Sequence, residues 1–301
     1  MKAHARTIKS RGDRIFDAVN TLIMLLVIVV TLYPFLNILA ISLNDAHDSA
    51  AGGIYIWPRK LSFDSYESVF RYPGIYHAFL VSVGRTVAGT LLSLTLTSIT
   101  AYVMTKKYLV GYKVVYNYFV ISMFISGGLI PTFFQYQKLH IYNTFWVYIL
   151  PGAFVVYYMI LMRTFILQLP KELEESALLD GANELQVYLK VIMPLSKPIL
   201  ATIGLFVAVN QWNSWQDTLF YTHDSELETL QYVLMKVLQQ AEAASMARQA
   251  KRSMARMRTV SITPDSIKMA ITIAATLPII CVYPFIQKHF VKGMMIGAVK
   301  G

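Results

Sequence analysis

Charge and sulfur are both scarce in this chain. Only 15% of its 301 residues are Asp, Glu, Lys or Arg, against roughly 25% for an ordinary soluble domain. That deficit excludes a conventional water-facing surface around one core, and the 55% hydrophobic content places the chain in the membrane class. The single cysteine, Cys281, lies in an apolar run, so neither a disulfide framework nor a thiolate metal site can be built. There is no G-x-x-x-x-G-K-S/T phosphate loop, no H-E-x-x-H and no G-x-S-x-G. The six histidines, at 4, 47, 77, 140, 223 and 289, are scattered, mostly in loops, and read as solvated side chains rather than metal ligands. The chain is therefore expected to be no enzyme on its own and to carry no metal or cofactor. Its net charge of +10 would suggest nucleic acid in a soluble protein. Here the cations flank apolar runs and hold their orientation, so membrane lipid is the expected neighbour and nucleic acid is not.

What is present is a series of long apolar runs. A hydrocarbon core about 30 Å thick needs roughly 20 apolar residues as helix. Six stretches qualify, near 17–41, 78–103, 113–134, 143–163, 195–216 and 269–290. Lys2, Arg6, Lys9, Arg11 and Arg14 precede the first, which is too long for a signal peptide and reads as an anchor. Six spans put both termini on one side, together with Lys106, Lys107, Lys113, Arg163, Lys171, Lys190, Lys197, Lys288, Lys292 and Lys300. By the positive-inside rule that side is the cytoplasm. Loop 5–6 dissents with its own cations, but it is long, and long segments translocate largely regardless of charge. Ionisable groups inside spans are few. Arg85 is read as snorkelling at the outer end of the second span and Arg163 as ending the fourth. The lack of intramembrane acids argues against proton or sodium coupling.

One polar stretch interrupts the cytoplasmic side between the fourth and fifth spans: "ESALLDGANELQVYLKVIMPL", residues 175–195. Pro170 stops the preceding run, and acids at 172, 174 and 175 open a helix at its positive dipole end. Gly181 ends or turns that helix, and a second one, apolar along Leu185, Tyr188, Leu189 and Ile192, runs into Pro194 and Pro198. An amphipathic interfacial helix accounts for the oily side. The acid-small-small opening and the placed glycine point instead to a rigid knob that docks in a cleft on a soluble partner.

Glu175-Ser176-Ala177, then Gly181, then Val191 and Met193-Pro194 resemble the "EAA" loop of ABC importer permeases. The string "LLDGANELQVYLKVIMPLSKPILATIGLF", with "GGLIPTFF", "IYNTFWVYILPGAFVVYYMILMRTF" and the tail "FVKGMMIGAVKG", is similar to the carbohydrate branch, in the subgroup handling complex and uronate oligosaccharides such as alginate. Ser176 replaces the usual alanine, and Val191 and Met193 stand where Ile and Leu are usual. The resemblance implies an all-α, six-helix type I importer fold in the bacterial inner membrane. In that plan 1–16 is a cytoplasmic N-terminus, 17–290 the transmembrane domain and 291–301 a cytoplasmic tail, with a cytoplasmic coupling loop at 164–194 and an extracytoplasmic loop at 217–268. The partners implied are a second homologous permease, two ATPase subunits that hold ATP and Mg, and an extracytoplasmic solute-binding protein. It also implies that Glu174, Glu175, Ser176, Ala177, Asp180, Gly181, Ala182 and Pro194 couple the chain to the ATPase. Glu175 would face ATPase cations, Ala177 would allow close approach and Gly181 would permit the turn.

For the cargo, "AVNQWNSWQD" at 208–217 is the polar-aromatic stretch closest to a span end. Asn210 and Asn213 share a helix face, with Gln211, Trp212 and Trp215 adjoining. Indoles stack on the C–H faces of sugars and amides pair with their hydroxyls, although the two tryptophans equally suit an interfacial aromatic belt. Loop 5–6 reads as helix over 226–258 with an apolar stripe from Leu227 to Leu238 and a basic end. In the family's plan that loop, with Arg248, Lys251 and Arg252, touches the binding protein, and its cations would favour an acidic oligosaccharide. An ion-coupled secondary transporter of a polar solute stays open as the alternative.

Overall fold

A computed structural model describes residues 11–252 and 264–298, without the side chains of 47, 50, 244, 245, 247–252, 264, 282, 283 and 285–298. Its described residues are helical apart from connections and one isolated bridge between Asn44 and Leu61. The helices are α1 (Arg11–Ser42), α2 (Ala46–Ala50), α3 (Asp64–Phe70), α4 (Ile75–Val103), α5 (Tyr112–Ser122), α6 (Leu129–Lys138) and α7 (Val156–Ile166). After these come α8 (Lys171–Leu179), α9 (Glu184–Val187), α10 (Met193–Leu195), α11 (Lys197–Asn213), α12 (Gln216–Tyr221), α13 (Leu230–Arg252) and α14 (Pro264–Ala298). The chain divides into two compact units, 1–71 with 238–274 and 72–237 with 275–301.

In the first unit α1 is apolar on every side, and its most apolar window has no buried residue. A helix hydrophobic all round needs an apolar medium. The connection after it is tied by polar bonds. Asn44, almost fully buried, accepts from the Lys60 N–H at 2.7 Å and donates to Asp48 at 3.0 Å.

The second unit is organised on α4 and α11, its most extensively packed pair. Small residues make the approach close: a Cβ on Gly204 would lie 3.3 Å from Leu94, and one on Gly89 would lie 2.7 Å from Gln211. Where lipid is as apolar as the core, such close packing holds helices together better than apolar area does. Met159, Met162, Val187 and Ile203 are fully enclosed around this pair.

Of the six expected runs, two emerge as single helices among the described residues long and apolar enough to cross a membrane, α1 and α4. A third would be the pair 184–195 and 197–213, bent by 78°. The run 113–134, expected as one helix, is α5 and α6 separated by an irregular link. Gly128 there has φ 80° and ψ −178°, a backbone conformation essentially restricted to glycine. The run 143–163 begins as a short 3-10 turn, Phe145–Tyr148, and becomes α7 only at Val156, because Pro151 and Gly152 break the pattern between them. The bend before α11 sits at Ser196, flanked by Pro194 and Pro198 and preceded by a π-helical turn at Tyr188–Ile192.

Candidate functional site: the interrupting knob and the polar end of α11

The stretch 171–195 forms two short helices hinged at a glycine. Pro170 precedes α8, with Glu172 and Glu174 in its first turn. At its end the Ala182 N–H donates to Ala177 O at 3.0 Å and the Gly181 N–H to Leu178 O at 3.1 Å. That is a Schellman closure, with Gly181 at φ +85°. Two residues on, Asn183 and Gln186 cap α9 reciprocally, each side chain accepting from the other's N–H at 2.9 Å. The two helix ends that meet at the glycine are thus satisfied by residues of the stretch itself.

Its two faces differ. Ala177 and Ala182, both half-buried, pack inward against the core around Met159 and Val187. Glu175, Ser176, Asp180 and Gly181 are exposed. Leu179, 89% exposed, is the most open of the apolar side chains beside them. Pro194 lies in α10, just before the bend.

Three side chains spaced four apart along α4 and its C-terminal turn hold this knob. Ser98 and Tyr188 share a hydroxyl hydrogen bond of 2.7 Å. The Tyr102 hydroxyl donates to Glu184 at 2.5 Å. Lys106, 8% exposed, pairs with Glu174 on α8 and, at 3.1 Å, with Glu184 on α9, its ammonium 4.6 Å from the Tyr102 ring. Tyr108 donates to Glu184 as well, at 2.9 Å. Hydrogen bonds from Tyr102, then Tyr108 and Lys106, hold the Glu184 carboxyl below its usual range against the opposing effect of burial. The same carboxylate pushes the Tyr108 hydroxyl up. Sequence reading missed this cluster. Lys106 lies 68 positions from Glu174 and registered only as a cation marking the cytoplasmic side.

At the other end of α11 the polar-aromatic stretch separates into two groups. Asn210 and Asn213 are exposed and line an open groove of about 700 Å³ with Tyr158, Phe206, Ser214 and Gln216. Ser214 and Gln216 also border a second groove of about 360 Å³, which reaches Thr132, Asp217 and Tyr221. Gln211 and Trp212 turn inward instead. Trp212 donates its indole N–H to Ala275 O at 3.0 Å and meets Phe79 edge-on. Gln211 donates to Tyr148 O at 3.2 Å and accepts from Arg85 at 3.0 and 3.2 Å. Trp215 is half-buried at the start of α12.

Arg85 corrects the snorkelling expectation. It is 2% exposed, its guanidinium lies 4.5 Å from the centre of the Tyr148 ring, and it pairs with both oxygens of Asp217, at 3.1 Å to one of them. A charge withdrawn from water needs such complete pairing. The signal available in sequence was a cation within an apolar run, near its outer end; its partner lies 132 positions away. The side chains of Arg248, Lys251 and Arg252 lie outside the described residues, as do Arg256 and Arg258 altogether. Among the described residues no group of three His, Cys, Asp or Glu is placed to share a metal ion.

An all-helical membrane chain with a capped polar knob between its oily helices belongs with transport permeases, and comparison with known proteins agrees. The family of binding-protein-dependent transport system inner membrane components matches residues 3–296, and the chain belongs to it. It is the permease component of an ABC importer, which sets aside the ion-coupled alternative. Among its relatives, Protein LplC of Bacillus subtilis (strain 168) is 38% identical over 97% of both chains. The polygalacturonan/rhamnogalacturonan transport system permease protein YtcP of the same organism is 36% identical over 96% of this chain and 99% of the relative. A solved bacterial ABC transporter involved in the import of the acidic polysaccharide alginate contains a chain that superposes with TM-score 0.80 at 29% identity, covering 94% of this chain and 99% of that one.

Proposed function

We propose that the chain is one of two six-span permease subunits of an importer for acidic, uronate-type oligosaccharides. Both termini face the cytoplasm, two ATPase subunits sit below, and an extracytoplasmic solute-binding protein delivers the cargo. The likeness to a polygalacturonan/rhamnogalacturonan permease and to an alginate importer supports the cargo class. The basic end of the 217–268 loop, with Arg248, Lys251 and Arg252, would meet the binding protein.

The knob carries the coupling reading. It is capped on both sides of its glycine turn, its exposed face joins the carboxylate of Glu175 to the apolar tip of Leu179, and its inner face is committed to the bundle. A unit of that kind seated in an ATPase cleft converts nucleotide-driven closure into motion of the attached helices. Glu174, Glu175, Ser176, Asp180 and Gly181 belong to that unit, and Pro194 lies at its exit. Asn210 and Asn213, with Ser214 and Gln216, offer amides and a hydroxyl to sugar hydroxyls beside the rings of Tyr158 and Phe206.

The test is uptake of labelled oligogalacturonate, prepared from polygalacturonan, into vesicles holding the complete complex. ATP-dependent uptake, insensitive to collapse of ion gradients and outcompeting neutral maltooligosaccharides, is expected. Preference for the neutral sugar would overturn the cargo, and uptake without ATP would overturn the coupling.

A further inference from the structure

The knob and α4 are joined by a ladder of polar contacts, and its last rung is buried more deeply than a surface ion pair would be. Ser98, Tyr102 and Lys106 follow one another at four-residue spacing, which puts them along one edge of α4 and its continuation. They meet Tyr188 in the π-helical turn, Glu184 at the start of α9, and Glu174 on α8. Lys106 reaches carboxylates on both sides of the Gly181 turn. Its ammonium is closed in by the Tyr102 ring, whereas Glu174 and Glu184 keep 28% and 49% of their side-chain surface open. A lysine buried between two carboxylates that both remain in touch with water fixes an angle more than it stabilises a core. Without it the two acids would be solvated, and the helices on either side of the glycine would be free to tilt.

We propose that Lys106 is a positioning residue that locks α8 against α9 and transmits displacement of the knob to α4, beside the knob's own continuation into α11. The proposal rests on the coupling reading above and adds to it a second route by which force leaves the knob. Loss of Lys106 should leave the knob folded but let it yield under load.

The experiment uses the complete complex in proteoliposomes, with oligogalacturonate as the transported probe. Lys106→Met should assemble and melt like the parent, while uptake per ATP hydrolysed falls about tenfold, the change in rate set by a single charge-assisted hydrogen bond. Lys106→Arg should recover most of that ratio, and Lys107→Met, the neighbouring exposed cation, should leave it unchanged. A merely structural lysine would lower assembly, melting temperature and both activities together, leaving the ratio intact. If Lys106→Met assembles poorly, Glu184→Gln combined with Tyr108→Phe loosens the same rung, and an unchanged ratio there overturns the proposal. Leu179→Asp separates the two readings. Loss of uptake with Leu179→Asp but a normal ratio with Lys106→Met removes the ladder and keeps the coupling knob. Normal uptake with both variants removes the coupling reading itself.

Discussion

Gly89→Ala places one methyl group where α4 crosses α11, and its consequence can be worked out from the surrounding atoms. The new Cβ would lie 2.7 Å from Gln211 Nε2, 2.9 Å from Cδ and 3.3 Å from Cγ, where ordinary contact begins at 3.4 Å. A free glutamine would swing aside at little cost. This one is pinned, donating to Tyr148 O and accepting twice from the buried Arg85. On its far side a Cβ built at Gly152 would already lie 3.4 Å from the same Nε2, so little room remains there. Overpacking of this kind costs about 1–3 kcal/mol, and a lost hydrogen bond to a charged group costs about 1.5–3 kcal/mol. These are alternative ways for the same clash to relax and do not add. Alanine returns about 1 kcal/mol of helix propensity. The net expectation is a loss of about 1 kcal/mol. Gly84→Ala on the same helix is the control, since its Cβ meets only Phe145 at 3.4 Å; it should be neutral or slightly stabilising. Denaturant unfolding of the two purified variants in the same detergent measures the difference. On a Gln211→Ala background Gly89→Ala should become nearly harmless. Equal stability of the two glycine variants, or an undiminished cost on that background, would refute the reasoning.

Three further outcomes are expected. Gly181→Asp should reach the membrane and fold, because nothing lies within 4 Å of an added Cβ and the cost is the left-handed backbone, about 1–2 kcal/mol for an ordinary side chain. It should nevertheless uncouple uptake from substrate-stimulated ATP hydrolysis, and retention of both activities would count against the knob. Arg85→Met strands Asp217 and should cost about 3 kcal/mol, more than a matched Arg85→Met/Asp217→Asn pair, as read by melting of the two complexes. The Glu184 tie contributes stability above the carboxyl's ordinary value of 4.5, and that contribution drains away as pH falls through the lowered native value. Coupling measured between pH 6 and 8 should therefore be flat with respect to this group, and a Glu184-dependent change inside that window would contradict the geometry.

Local features were legible along the chain and long-range ones were not. The knob is the clearest local case. The proline stop, the acids of the first turn and the glycine at the turn were all visible in sequence, because the Schellman closure and the Asn183–Gln186 capping box each involve residues a few positions apart. The breaks in the third and fourth runs were marked by Gly127-Gly128 and Pro151-Gly152, yet hydropathy alone reads through them. At the polar end of α11, helical spacing correctly set Asn210 and Asn213 on one face. It could not tell which amide would line a groove and which would be spent on Arg85.

Membrane class, helical content, the punctuated knob and the family resemblance follow from residue type and order alone, since apolar length, dihedral preference and end-capping act over a few residues. The tertiary structure decided which polar groups meet: Arg85 with Gln211 and Asp217, and Lys106 with Glu174 and Glu184. Those partners lie 68 to 132 positions apart, and only the packing of one helix against another brings such distant groups within bonding range while removing the water that would otherwise keep them apart.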